Sequence, residues 1–246
     1  MDVKVKILNK DQVMKIYTSE EGFHIPTLSM RALNLTADQV KQALVDEMLR
    51  SLDRPVPYTL GAPYVFKKAT KDNLAVQVYL KDATRSGRSE AYLRPQVYGG
   101  GRRMKGFEKA LNAIGILPNG MYIIPGKNAP LDAYGNVGAG FILQILRYFK
   151  AFPEGARRKN LSDEKRARMK KGTKTRLGIE YFILHGREPS PGIFSRVEYG
   201  GGVSIRPIFM FVKQPQYKKR LQWDAVAARV VNENWEKNLK EVGMEK

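Results

Sequence analysis

Apolar positions recur along this chain with two clear periods. Between Thr27 and Leu52, the residues Leu33, Ala37, Val40, Leu44, Met48 and Leu52 fall three or four apart, the spacing that lines one stripe of an α-helix. The pattern predicts a first long amphipathic helix ending before Asp53-Arg54-Pro55-Val56-Pro57, where the prolines bar further helical hydrogen bonding. After Pro215 the same spacing returns in Trp223, Val226, Ala227, Val230, Val231, Trp235, Leu239 and Val242, with Lys218, Asn232, Lys237 and Lys240 among the polar residues of the opposite face.

The second period is the alternation of strands. Val3, Val5 and Ile7 alternate with Lys4 and Lys6, predicting a short first strand or a pairing arm. Leu74, Val76, Val78 and Leu80 face one way and Ala75, Gln77 and Tyr79 the other, and with Tyr64 to Thr70 they predict a strand pair around Lys71-Asp72-Asn73. A second hairpin is predicted from Ile193–Tyr199, the turn Gly200-Gly201-Gly202 and the apolar Val203–Val212. This hairpin and the terminal helix should bury their apolar faces together and extend the first sheet.

These elements predict an α+β fold in one domain over 1–246, an antiparallel or mixed sheet flanked by two long amphipathic helices. Residues 82–176 read as an inserted elaboration. Within it Phe107–Ile114 and Ala139–Phe149 predict short helices, Pro95 and Gly99-Gly100-Gly101 punctuate the chain, and Gly/Pro/Asn-rich passages predict loops. The sheet is expected to resume at Gly178–Leu184.

Charge adds most to this picture. The formal net charge is +19, so a polyanion or an acidic protein surface is the expected neighbour. The positive charge is densest in Arg157, Arg158, Lys159, Lys165, Arg166, Arg168, Lys170, Lys171, Lys174 and Arg176, relieved by Asp163 and Glu164. Such a run predicts a mobile loop or a solvated helix and could serve as a phosphate-contacting arm. The first triple glycine predicts a flexible joint leaving Arg102 and Arg103 free, with Lys105, to contact anions.

Catalytic chemistry finds little purchase. His24 and His185 are the only histidines and cysteine is absent, so no metal-ligand cluster, disulfide or thiolate site is expected, and no cofactor. Neither triple glycine has the strand, spacing and helix context of a phosphate-binding loop, no Gly-x-Ser-x-Gly occurs, and no residue can be named as catalytic. The N-terminal Met1-Asp2-Val3-Lys4-Val5-Lys6 lacks the apolar core of a signal peptide, and no apolar run reaches membrane-spanning length. A soluble protein is expected.

Three stretches carry a family resemblance. The first runs from Ala32-Leu33-Asn34-Leu35-Thr36-Ala37 through Glu47-Met48 to Asp53-Arg54-Pro55-Val56-Pro57. The second is Val65-Phe66-Lys67-Lys68-Ala69-Thr70 leading into Leu74-Ala75-Val76-Gln77-Val78. The third joins Gly192-Ile193-Phe194-Ser195-Arg196 to Ile205-Arg206-Pro207-Ile208-Phe209-Met210-Phe211-Val212 and the terminal helix. Together they resemble the tail-completion proteins of tailed bacteriophages, the minor tail protein Z family, over roughly half the chain at both ends.

The resemblance implies a structural virion protein made in the host cytoplasm. Its subunits would form a homo-oligomeric ring at the head–tail junction, joining a portal or adaptor to tail proteins around genomic DNA in the lumen. The alternative is a sequence-independent nucleic-acid-binding protein of ribosomal or packaging type, with an unrecognised enzyme third.

Overall fold

A computed structural model describes residues 2–6, 25–81, 88–153, 155, 160–173, 175–186 and 190–244. In chain order the elements are β1 Asp2–Lys6, α1 Ile25–Ser51, α2 Pro57–Leu60, β2 Pro63–Lys67, β3 Ala75–Leu80, α3 Arg88–Tyr98, β4 Gly100–Gly101 and α4 Gly106–Ala113. They continue with β5 Met121–Pro125, α5 Ala139–Tyr148, α6 Asp163–Lys171, β6 Ile179–Leu184, β7 Gly192–Tyr199, β8 Gly202–Lys213, β9 Gln216–Tyr217 and α7 Trp223–Met244. The α+β class read from the periodicity is what the chain adopts, with long helices packing on antiparallel strands.

The helical stripes do what their spacing requires. Leu33, Ala37, Val40, Leu44 and Met48 of α1 are buried, and Trp223, Val226, Ala227 and Val230 of α7 join them in one core with Val76, Val78 and Leu80 of β3. Two features fix the pairing of α1 with α7 beyond apolar contact. Buried Asn238 donates to Thr36 Oγ1 and to Gln39 Oε1, each at 2.8 Å. Glu47 near the end of α1 accepts from Ser51 and from the Gln222 amide that precedes α7. The sheet under these helices is three-stranded and antiparallel in the order β1-β3-β2.

The chain divides into two compact units, Met1–Gly100 with Tyr217–Lys246, and Gly101–Gln216. The expected course of the hairpin is corrected by the sheet pairing. β7 and β8 do pair across the triple glycine, but they belong to a separate four-stranded antiparallel sheet, β5-β8-β7-β6, and not to the sheet of β3. The terminal helix finds its partners in the first unit, so the expected hairpin-and-helix packing unit does not form. The physical reason is that the segment between 101 and 216 supplies its own apolar layer. Leu111 of α4, Ile145 and Leu146 of α5, Ile123, Tyr181, Ile193, Phe209 and Phe211 bury one another.

The elaboration expected over 82–176 therefore has different limits. Its first helix, α3, belongs to the first unit, where Leu93 and Val97 are buried in the α1–α7 core. Pro95 lies inside α3, yet the helix persists because Leu93 and Val97 stand one turn apart and the Gln96 carbonyl accepts the Arg220 and Leu221 amides. The second unit continues past residue 176 to take in β6, β7 and β8.

Candidate functional site

The basic residues singled out by sequence meet three different fates. Arg102 is the clearest correction: it is not free to contact anions, because its guanidinium is buried against the wholly buried carboxylate of Glu108. Arg102 Nη1 donates to Glu108 Oε2 at 2.7 Å, and Nη2 to Glu108 Oε1 at 2.5 Å and to the Ile123 carbonyl at 3.2 Å. Glu108 in turn accepts the amides of Lys105 and Ile123, so one carboxylate closes the start of α4 and ties it to β5. Burial pushes the Glu108 carboxyl up, and the hydrogen bonds from Arg102, Ile123 and Lys105 outweigh it, holding the group below the ordinary carboxylate range. The guanidinium also stands 5.0 Å from the centre of the Tyr122 ring. The glycine joint thus leads into an anchored arginine, while Arg103 and Lys105 are exposed.

The basic run is represented by α6. Of the two forms expected of it, the described part takes the solvated helix: no residue of α6 is buried. Ser162 caps its first turn by accepting the Lys165 amide, and Asp163 and Glu164 sit where an acid is favoured. Gly172, with φ of 72°, ends it in a conformation that favours glycine. Arg157, Arg158, Lys159 and Lys174 lie outside the described residues, as does His24.

One side of α6 is fastened to the second unit. Arg166 pairs with Asp163, lies 5.7 Å from the centre of the Tyr148 ring and donates to the Tyr148 carbonyl. Met169 packs on the apolar core, Lys150 reaches Asp163 at 3.0 Å, and Lys170 reaches Glu180 of β6 at 3.0 Å. The hydrogen bond from Lys150, with that from Arg166, holds the Asp163 carboxyl below its usual range. Lys165, Arg168 and Lys171 are exposed and have no ion pair among the described residues, and the same holds for Arg176 beyond the helix.

A second exposed feature was missed at the sequence level, the protruding end of the β7–β8 hairpin. β6 pairs with β7 only as far as Ile179↔Val197, and on the other side the Gly126 and Asn128 amides reach β8 only at Ile208 and Pro207. Past these points no described strand flanks the hairpin. Its apolar residues there remain in solvent: Tyr199 is 49% exposed, Val203 51% and Ile205 54%. Val203 and Ile205 are two apart on β8 and so share a face. β8 runs twelve residues, against eight in β7 and five in β5, the two strands it pairs with, so its first part has no strand on its outer edge among the described residues.

His185 is exposed at the end of β6, and among the described residues no three His, Cys, Asp or Glu side chains gather as metal ligands. No described helix is long and apolar enough to cross a membrane. No known protein family, curated protein or solved structure matches this chain.

Proposed function

We propose that this chain is a structural subunit of a tailed-bacteriophage virion, a ring-forming neck or tail-completion protein that joins a portal or adaptor to the tail. The observation that supports this best is the β7–β8 hairpin. A two-stranded arm whose edges have no strand partner among the described residues, and with Tyr199, Val203 and Ile205 about half exposed, gains burial and strand pairing from a neighbouring chain. In the rest of the second unit α4 and α5 cover one face of the sheet. A packed body bearing a projecting hairpin is a form by which a ring subunit can hold its neighbour. The family resemblance of both ends of the chain points the same way.

The test is co-migration with purified portal or adaptor rings, by size exclusion with light scattering, after nuclease treatment. The wild-type chain should bind the rings, and Val203→Asp with Ile205→Asp should abolish binding while the melt moves by about 0.5 kcal/mol or less, as for other exposed positions. Wild-type binding that disappears with nuclease, or a hairpin variant that still binds, would remove the reading.

A further inference from the structure

We infer that the outward face of α6 is a docking site for the phosphodiester backbone of double-stranded nucleic acid. This inference stands apart from the virion reading, since it uses only α6 and its charges.

The pairing pattern of the helix carries the argument. Every cation on the side facing the unit has a partner: Arg166 has Asp163 and the Tyr148 ring, and Lys170 has Glu180. Lys165, Arg168 and Lys171 stand three apart, so they follow one another around the solvent side, where Glu164 is the one acid. Like charges at this spacing repel, which is an unfavourable arrangement for a free helix. Here α6 is held by its Ser162 cap, by Met169 in the core and by its ion pairs. The backbone that carries these cations is therefore held before any ligand arrives, which removes the cost of ordering the helix from binding.

The chemistry of the face selects the partner. Its only apolar side chain is the methyl group of Ala167. Interfaces with folded proteins place apolar and aromatic groups at the centre and keep charge at the rim, whereas nucleic-acid interfaces are polar and strongly positive. No aromatic residue lies on α6, so the stacking that single strands require is not offered. Six residues of helix from Lys165 to Lys171 advance about 9 Å, comparable with the axial advance of three phosphates along one strand.

The experiment is a titration of a short labelled DNA duplex of mixed sequence, read by fluorescence anisotropy at several salt concentrations. With Lys165→Ser, Arg168→Ser and Lys171→Ser together, the slope of log K against log salt should shrink by about 2.7, from about 0.9 for each lost phosphate contact. The charge-matched control, Lys218→Ser, Lys237→Ser and Lys240→Ser, removes exposed lysines elsewhere and should leave the slope unchanged. Far-UV circular dichroism should be the same for all three proteins. Equal losses in the two variants would mean diffuse attraction by the +19 charge and would overturn the site. An unchanged slope in the α6 variant, with loss of binding to polyglutamate, would assign the face to acidic protein instead. Tighter binding of oligo-dT than of duplex would also overturn it.

Discussion

Replacing Glu108 by Gln tests whether the Arg102 cluster is an internal strut. In the wild type the carboxylate accepts from Arg102 Nη1, Arg102 Nη2, the Lys105 amide and the Ile123 amide. Glutamine keeps one acceptor oxygen and turns an NH2 group toward those donors, while the buried guanidinium loses its counter-charge. Removing one member of such a pair costs about 3–5 kcal/mol, because the other charge is left buried and unpaired. At about 2 kcal/mol per molar urea, the midpoint should fall by roughly 2 M. Circular dichroism and tryptophan fluorescence should be followed together. Trp223 and Trp235 both belong to the first unit, so a shift confined to circular dichroism reports the second. Arg102→Met alone should be similarly damaging, and Arg102→Met with Glu108→Leu much less so than the sum, with coupling of up to about 3 kcal/mol. The pH dependence has a definite sign. Glu108 is held below its unfolded value, so its contribution is present above about pH 4.3 and lost as pH falls through the folded pKa. Wild type should lose stability across that acid window and Glu108→Gln should lose less. A Gln variant within about 1 kcal/mol of wild type would refute the strut and return Arg102 to the pool of available cations.

Two further substitutions probe packing. Trp223→Ala should cost about 3–5 kcal/mol, followed by circular dichroism, since the side chain is fully buried. Trp223→Phe should cost distinctly less, because the indole N–H has no partner among the described residues to lose, and equal costs would show a hidden acceptor. Gly178→Ala should loosen the end of α6, because a Cβ there collides with the Lys170 carbonyl, a backbone atom that cannot swing aside. Amide exchange should then quicken in α6 and at the start of β6, and unchanged protection would show that the backbone yields locally.

The parts legible in sequence were those where one physical rule acts alone. α1, α7 and β3 each bury a single face against a continuous core, so spacing of three and four, or of two, names their buried residues almost one by one. What periodicity cannot say is which apolar face meets which. The alternation of Ile193–Val197 required burial, and nothing in it chose between β3 and the layer of Phe107, Leu111 and Phe141 that covers it. α3 was hidden by Pro95, because a local rule against proline was overridden by the tertiary burial of Leu93 and Val97. Arg102 was misplaced for a related reason, arginine being normally a surface residue. The clue to its anchoring was Glu108, an acid three residues into a short apolar helix that follows a loop, where a carboxylate turns back to the preceding amides.

The basic residues show why composition alone could not locate a site. Arg102, Arg166, Lys170, Arg168 and Lys171 are equivalent in a charge count, yet the first is buried, the next two are spoken for by Glu180, Asp163 and Tyr148, and the last two face solvent without ion pairs among the described residues. Of these five, Arg168 and Lys171 on α6 are the two left for a polyanion. The exposed apolar pair assigned to the ring contact, Val203 and Ile205, lies on the β7–β8 hairpin of the same unit. Because different elements carry the two chemistries, their effects should separate in both directions. Asp at 203 and 205 should abolish ring binding and, after correction for two added negative charges, preserve the salt slope on duplex DNA. Ser at 165, 168 and 171 should reduce that slope and leave nuclease-resistant ring binding intact. If either set of changes abolished both activities with the fold preserved, the two surfaces would be one interface, and the assignment of a separate partner to each would fail.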